Sequence, residues 1–275
     1  MKPRPFDYAQ PDAAEEAVAL LAEYGDDARV LAGGQSLVPM LNLRLIEPQV
    51  LIDISRIKEL DTIGDRGDTI EVGAAVTQNK LLAWPELKQK LPLVAAALPY
   101  VGHFQTRNRG TVCGSIAHAD PSSELPLALA VCDGEVVLRS ARGERVLPAG
   151  EFQQDMLTTA REPDELVVAV RFPVMAGQGA GFHEVARRHG DFAIIAVAAM
   201  VEKDKSIRVG VGGMAGRPMV RIVSGNAADV ISAFMAKWAE ELEGYEDLHA
   251  STALRRDLFK KLGPHVIAQA TGGRA

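Results

Sequence analysis

Two short segments of this sequence combine glycine with a hydroxyl residue, a combination that can hold phosphate groups. Residues 32–36 read Ala-Gly-Gly-Gln-Ser, and residues 111–115 read Thr-Val-Cys-Gly-Ser. Because glycine has no Cβ, backbone N–H groups can approach an anion closely, and a neighbouring hydroxyl adds a further donor. One such segment is an ordinary turn signal. Two in one chain suggest a diphosphate held from both sides, and therefore a dinucleotide cofactor.

Neither segment matches a common nucleotide-binding motif. The chain lacks the Gly-Lys-Ser/Thr of a Walker motif, and neither segment is the Gly-x-Gly-x-x-Gly of a Rossmann fingerprint. The alternative, which stays open, is that the two segments are tight turns shaped only by packing. The composition of either segment alone fits a packing turn as well as a phosphate-binding loop. Under the phosphate-binding hypothesis the donors are Gly33, Gly34, Ser36, Thr111, Gly114 and Ser115.

The elements around the two segments suit anion binding. A β-type run at residues 29–32 leads into the first segment, and residues 37–45 can continue as a short helix despite Pro39. A predicted buried helix at residues 123–130 begins just beyond the second segment. Glycines that precede a helix place free N–H groups where an anion can bind. Both segments therefore have the expected structural context.

Hydrophobic periodicity divides the chain into three parts. The spacing of Asp12 and Glu15 is typical of a capping box and predicts a first helix from Ala14 that stops at Tyr24. Short β-branched runs predict strands throughout, with an antiparallel sheet downstream of Pro173 and helices at residues 227–242 and 251–262. The prediction is an α+β fold with subdomains at residues 1–54, 55–173 and 174–275.

Composition excludes several classes of protein. The 275 residues carry a formal net charge of −6, without the basic stripe that a nucleic-acid partner requires. No apolar run of about 18 residues is present to span a bilayer. The first residues also lack the apolar stretch of a signal peptide, so the expected location is the cytoplasm.

Cysteine content limits the cofactors that the chain itself can bind. Cys113 and Cys132 are the only two cysteines, whereas an iron–sulfur cluster is usually held by four thiolates. Any such cluster must therefore lie in another polypeptide. The sequence His118-Ala119-Asp120 has metal-ligand spacing, but a site needs three or more ligands and no second pair accompanies it. No metal site is predicted.

Three motifs together resemble a known family. They are Ala-Gly-Gly-Gln-Ser-Leu-Val-Pro-Met at residues 32–40, Arg-Asn-Arg-Gly-Thr-Val-Cys-Gly-Ser-Ile-Ala-His-Ala-Asp-Pro at 107–121, and Ala-Arg-Arg-His-Gly-Asp-Phe-Ala at 186–193. In this order they resemble the FAD-binding medium subunit of molybdenum hydroxylases, a family that includes xanthine dehydrogenase and aerobic carbon monoxide dehydrogenase. The resemblance runs across nearly the whole chain.

This resemblance implies a VAO-like FAD-binding fold made by the two N-terminal α/β subdomains, with the C-terminal antiparallel sheet and helices closing over the flavin. It implies pyrophosphate binding by residues 32–36 and 111–115, and hydroxyl binding by Glu124, whose alternative role is that of a first-turn helix residue. The implied cofactor-binding residues are Val30, Leu31, Ala32, Gly33, Gly34, Gln35, Ser36, Val101, Thr111, Cys113, Gly114, Ser115, Glu124, Leu166, His183 and Phe192.

Two positions depart from the family pattern. Cys113 stands where the family more often has glycine, so the backbone there must tolerate a Cβ. A role for Cys113 as a small buried hydrophobic residue is a simpler interpretation than a role as a redox-active thiol. His183 stands where related chains often carry lysine, and it either tunes the flavin or is a surface strand residue. Arg187, Arg188 and Asp191 form either a surface charge cluster or a brace for a loop over the flavin.

The resulting functional hypothesis is an electron-transfer subunit without catalytic residues of its own. The resemblance implies that FAD receives electrons from [2Fe-2S] clusters of a small subunit, after a molybdopterin-bearing large subunit hydroxylates the substrate, in an (αβγ)2 assembly. Electrons then pass to an external acceptor that the sequence does not identify. A self-sufficient FAD-dependent oxidoreductase and a non-flavin nucleotide-binding protein are the alternatives.

Overall fold

A computed structural model describes residues 2–225 and 227–272 of the chain. Within them the polypeptide forms three larger sheets, each covered by helices, and one small hairpin. The sheets are made from successive stretches of sequence, and the predicted α+β fold is confirmed. The subdomain boundaries at residues 54 and 173 stay a prediction. No helix in the described residues combines the length and apolar character needed to cross a bilayer.

The first sheet is parallel and carries the first glycine segment. Its strand order is β1-β3-β2, and the segment follows the carboxyl end of β2. Helix α1 buries Ala14, Ala17, Val18 and Leu21, as the apolar spacing predicts. The elements are β1 (Asp7–Ala9), α1 (Ala14–Tyr24), β2 (Ala28–Leu31), α2 (Leu37–Asn42) and β3 (Val50–Asp53).

The second sheet has five strands, all antiparallel, in the order β4-β5-β10-β6-β7. Its strands are β4 (Ile63–Asp65), β5 (Thr69–Gly73), β6 (Glu135–Ser140), β7 (Gly143–Pro148) and β10 (Leu166–Pro173). A hairpin of β8 (Gln153–Asp155) and β9 (Thr158–Thr159) precedes β10. The helices are α3 (Gln78–Leu82), α4 (Leu87–Lys90), α5 (Pro92–Ala97), α6 (Phe104–Arg109), α7 (Val112–His118), α8 (Glu124–Val131) and α9 (Ala149–Phe152).

The third sheet is a four-stranded antiparallel meander, β11-β12-β13-β14, followed by two long helices. Its elements are β11 (Ala180–Val185), β12 (Ile195–Val201), β13 (Ile207–Gly212), β14 (Met219–Val223), α10 (Ala228–Glu241) and α11 (Thr252–Thr271).

Strand β12 is buried on both faces. Because successive side chains of a strand point to opposite faces, Ala196, Ala198 and Met200 join the large core that also fills the N-terminal part of the molecule. Ile195 and Val197 pack instead into a second core beneath α10 and α11. One strand therefore ties the two hydrophobic cores together.

One predicted helix cap and one predicted helix end are wrong. Ala13 is the N-cap of α1 and makes no side-chain cap; instead the Glu59 carboxylate accepts from the Ala14 N–H, and Glu16 accepts from the Asp12 N–H. The first turn is thus capped mainly from a distant part of the chain. Helix α11 runs to Thr271, beyond the predicted end at residue 262, with Pro264 inside it.

A buried arginine holds the C-terminal helix onto the strands. Arg255, on α11, is 1% exposed, and its guanidinium donates to the carbonyls of Ile194 and Gly213. It also pairs with Asp247, at 2.6 Å, and lies over the ring of Tyr245. Since β12 begins one residue after Ile194, this contact fixes the start of that strand.

Replacing Arg255 by methionine leaves the carbonyls of Ile194 and Gly213 without this donor. It also removes the donor to Asp247 Oδ2, while Oδ1 keeps the N–H groups of His249 and Ala250. We expect the free energy of unfolding to fall by about 3 kcal/mol, measured by urea unfolding. The control is Lys261→Met on an exposed position of the same helix, which should change it by less than about 0.5 kcal/mol. Equal effects of the two substitutions would show that the buried contacts do not stabilise this end of the chain.

Candidate cofactor-binding site

A cavity of about 670 Å³ lies where the glycine segments approach each other. This volume falls within the range of small-molecule and cofactor sites. Its lining includes every cofactor-binding residue expected from the sequence except Leu31 and His183. The expected residues that line the cavity are Val30, Ala32, Gly33, Gly34, Gln35, Ser36, Val101, Thr111, Cys113, Gly114, Ser115, Glu124, Leu166 and Phe192.

The first glycine segment packs through Gly33 against residues 109–110, which directly precede the second segment. A Cβ added to Gly33 would lie 2.6 Å from the Cα of Gly110 and closer still to the Arg109 carbonyl oxygen. Any side chain at this position would therefore force the segments apart. Glycine is required at residue 33 by backbone packing, which is a different reason from the close approach to phosphate that the sequence suggested.

The second segment is fixed by hydrogen bonds to a neighbouring stretch of backbone. Gln78 N–H donates to Gly110 O at 2.8 Å, and Val112 N–H donates to Val76 O at 3.1 Å. Thr111 caps α7 by accepting from the Gly114 N–H at 3.0 Å. A Cβ on Gly114 would lie 2.7 Å from the capping hydroxyl, so glycine there preserves the cap.

The first segment presents unpaired donors to the cavity. The backbone N–H groups of residues 33–36 make no hydrogen bond within the described part of the chain. Gly34 has a φ of +71°, which only glycine adopts readily. Groups of this kind remain exposed to solvent or to a ligand, because an unpaired buried N–H is costly. Their position on the cavity wall suits an anionic ligand.

Glu124 places a carboxyl group in the cavity wall, as the first residue of α8. Burial raises its pKa to about 7, and the nearby Asp120 carboxylate adds to the shift. A second buried carboxyl, Glu184 on β11, has its pKa raised to about 8 by burial and by Glu124. Glu124 therefore lies close enough to Glu184 to oppose its ionisation.

Cys113 lines the cavity, and its thiol is hydrogen-bonded into the core. The Sγ donates to the carbonyl of Val72, at 3.3 Å, on the neighbouring strand β5. Burial raises the thiol pKa far above its ordinary value, so the group stays protonated. The backbone thus accommodates the Cβ that replaces the family's glycine, and the side chain packs as a small hydrophobe.

The mouth of the cavity is formed by a loop between β11 and β12. Gly190, with a φ of +85°, packs so closely on His103 that an added Cβ would lie 2.8 Å from the ring. Phe192, in the same loop, lines the cavity while remaining 69% exposed. Val101, on the facing segment, is buried. An apolar ring and an apolar wall therefore flank the opening.

Leu31 and His183 lie elsewhere. Leu31 lines a smaller hollow, of about 380 Å³, on the other side of the first glycine segment, together with Asp53, Ser55 and Arg109. His183 faces the Tyr100 hydroxyl, 3.3 Å from its Nδ1, and the ring of His265. Burial lowers the pKa of His183, and the nearby His265 adds to this effect.

Sequence reasoning missed one wall of the cavity. Around the predicted Leu166, the segment from the β8–β9 hairpin to β10 also contributes Leu157, Thr159, Arg161 and Glu165. It also missed Gln78, a buried residue of the lining whose Oε1 has no hydrogen-bond partner in the described structure. No local pattern marks these residues, because tertiary packing alone brings them to the site.

Metal ligands do not converge on this cavity. Across residues 2–225 and 227–272, no three His, Cys, Asp or Glu side chains come close enough together to hold a metal ion. His118 lines the cavity, where burial lowers its pKa and the Asp120 carboxylate opposes this shift.

Comparison with known proteins shows which family the chain belongs to. Residues 4–175 match the model of the FAD binding domain in molybdopterin dehydrogenase. The 6-hydroxypseudooxynicotine dehydrogenase complex subunit alpha of Paenarthrobacter nicotinovorans is 40% identical over 231 residues, covering 84% of this chain and 76% of that protein. The carbon monoxide dehydrogenase medium chain of Hydrogenophaga pseudoflava is 39% identical over 204 residues, covering 74% and 71%.

The fold agrees with the sequence comparison. A solved structure of carbon monoxide dehydrogenase from Hydrogenophaga pseudoflava superposes with a TM-score of 0.93 at 31% identity, covering 100% of both chains. The match to the FAD-binding model and the likeness of the complete fold point to the same group of proteins. The chain therefore belongs to the FAD-binding medium subunits of the molybdenum hydroxylase family, and it is an oxidoreductase subunit whose cofactor is FAD.

Proposed function

We propose that the cavity holds FAD and that the chain relays electrons from the iron–sulfur clusters of a small subunit to an external acceptor. The observation that carries this proposal is the meeting of both glycine segments at one cavity, with the N–H groups of residues 33–36 unpaired. A large subunit with molybdopterin would hydroxylate the substrate, in an (αβγ)2 assembly. The substrate pocket of that large subunit would then determine which compound is oxidised.

The residues of the cavity suit the parts of FAD. The segments at 32–36 and 111–115 would hold the pyrophosphate, and Glu124 would accept hydrogen bonds from hydroxyl groups of the cofactor. Val30, Val101 and Leu166 offer apolar surface to the rings, and Phe192 would cover the opening. Gln78 supplies a buried acceptor behind the second segment. These residues bind and orient the cofactor and exclude water from it.

When bound, FAD accepts and releases electrons singly or in pairs, which suits a relay between one-electron clusters and varied acceptors. The chain contributes no cluster ligands to this transfer. Its two cysteines are both buried, and Cys113 is hydrogen-bonded within the core. The relatives described above are named as a subunit and a medium chain, which supports partners that carry the remaining centres.

Purification from the native host with an affinity tag on this chain tests the relay. We expect FAD, iron and molybdenum to be recovered together in fixed ratios, measured by absorbance and metal analysis. A homo-oligomer that oxidises an organic donor with FAD alone, without iron or molybdenum, would instead establish a self-sufficient flavoenzyme. Absence of flavin absorbance even after reconstitution with FAD would reject the cofactor site.

The contact between the glycine segments gives a second prediction. Gly33→Ala adds a methyl group that collides with residues 109–110, so the two segments must separate. We expect FAD to bind at least about tenfold more weakly, equivalent to about 1.4 kcal/mol, in fluorescence titrations of the apoprotein.

The matched control is Gly150→Ala at an exposed position of helix α9, where an added Cβ meets nothing within 4 Å. This variant should bind FAD like the unmodified chain. Circular dichroism of both variants shows whether they remain folded. Unchanged FAD affinity in a folded Gly33→Ala variant would contradict the role of this contact.

The buried carboxyl of Glu124 gives a third prediction. Its pKa rises from 4.5 in the unfolded chain to about 7 in the folded one. Between these values the unfolded chain has lost a proton that the folded chain keeps, so stability decreases as pH rises. We expect Glu124→Gln to stabilise the apoprotein by about 2–3 kcal/mol at pH 8 and by much less near pH 4.5.

The same substitution should weaken FAD binding, because an amide is a poorer acceptor for hydroxyl groups than a carboxylate. Urea unfolding of the apoprotein and FAD titration of the same samples measure the two effects. A variant that is more stable at pH 8 and binds FAD normally would show that Glu124 is only a helix residue.

A further inference from the structure

Four arginines differ from the others of the described chain. Arg56, Arg109, Arg187 and Arg188 are exposed, and none of their side chains makes an ion pair or a hydrogen bond within residues 2–225 and 227–272. The remaining described arginines all bind carboxylates or backbone carbonyls, as Arg145 binds Glu165 and Arg107 binds the Val101 carbonyl. Guanidinium groups suit carboxylate and phosphate partners. These four are available for a partner outside the chain.

All four arginines lie beside the two hollows. Arg109 lines the smaller hollow, and Arg56 directly follows Ser55 in its lining. Arg187 and Arg188 precede the residues 190–192 that line the mouth of the main cavity. Residues 32–35 line both hollows, so the two openings are separated only by the first glycine segment. We call the four residues the arginine rim.

The two parts of the rim are connected by α6. His103 precedes this helix and contacts Gly190, and Arg109 ends it. Six helical residues span about 9 Å, so Arg109 lies near the loop that carries Arg187. The other charged or titratable side chains of these segments are Asp53, Lys58, Glu59, His103, Arg107, His189 and Asp191. Asp53 is buried and accepts from the Tyr8 hydroxyl, and Glu59 accepts from the Ala14 N–H. The basic side chains outnumber the acidic ones, so the surface is positive on a chain of net charge −6.

We propose that the arginine rim docks the acidic surface of a transient electron-transfer protein over the FAD cavity. The four guanidinium groups come from three separate segments around two openings, and they do not converge into one hollow as a single phosphate group would require. A carboxylate-bearing protein surface matches this spread. Charge complementarity of this kind raises association rates and orients short-lived complexes. The proposal rests on the proposed relay function, and it specifies that the external electron acceptor is a protein with an acidic surface.

The composition of the surface supports a transient partner. Arg187, Arg188 and Arg109 are accompanied by two exposed apolar side chains, Phe104 and Phe192. Permanent interfaces are more apolar and depleted of charge at their centre. A charged rim with few apolar groups suits a complex that forms quickly, passes an electron and separates.

Anaerobic stopped-flow mixing tests the proposal. The purified FAD-loaded protein, with any subunits that accompany it, is reduced and mixed with oxidised cytochrome b5, an acidic protein, or cytochrome c, a basic one. Each haem takes one electron, so the two electrons of one reduced cofactor reduce two cytochromes and two protons are released. We expect Arg187→Glu/Arg188→Glu to slow reduction of cytochrome b5 at least about tenfold at low salt, with the difference lost near 1 M salt, where charges are screened beyond about 3 Å.

The control is Lys237→Glu/Lys261→Glu, on exposed positions of α10 and α11, which changes the net charge by the same amount. It should alter the rate with cytochrome b5 less than about twofold, and neither double variant should slow cytochrome c. An equal loss in both double variants, or none in the arginine variant, would overturn the docking surface. Flavin content is measured in every sample. Absence of bound flavin in the unmodified protein would instead reject the proposed relay.

Discussion

The close packing of Gly33 against residues 109–110 is the contact on which the rest of the site depends. It joins the loop after a parallel strand of the first sheet to the loop before α7, which is anchored to the second sheet. The cavity exists because two units with separate sheets meet at this point and diverge beyond it. Their hydrogen-bonding groups are then divided between the two walls. Neither unit alone could surround an elongated ligand.

The sequence predicted the parts of this arrangement that depend on local chemistry. Glycine segments, strand periodicity and the α+β class follow from residue type and spacing, which act over a few neighbours. The reason for Gly33 could not be predicted, because its contact lies some 75 residues away along the chain. The predicted cap of α1 was wrong for a similar reason, because the distant Glu59 accepts from the Ala14 N–H in place of a nearby side chain. Leu157 and Arg161 reach the cavity by tertiary packing alone.

Two buried carboxyl groups lower the stability of the apoprotein at neutral pH, because burial opposes their ionisation. Burial raises the pKa of both groups, Glu124 raises that of Glu184 further, and Glu184 Oε2 has no partner in the described structure. Polar groups of this kind are costly unless a partner satisfies them. A cofactor hydroxyl would provide such a partner for Glu124. Under the proposed role of Glu124, stability and cofactor binding would therefore make opposite demands on this residue, as is common for functional sites.

The shared strand β12 limits how the molecule can be divided. The match to the FAD-binding family model ends at residue 175, yet Ala196, Ala198 and Met200 still belong to the N-terminal core. A fragment cut at residue 175 would leave helices α5 and α8 with their apolar faces uncovered, because β11, β12 and β13 pack against them. A segment recognisable as a module by sequence is thus not an autonomous folding unit. An insertion or a gene split at that boundary would therefore disrupt the shared core.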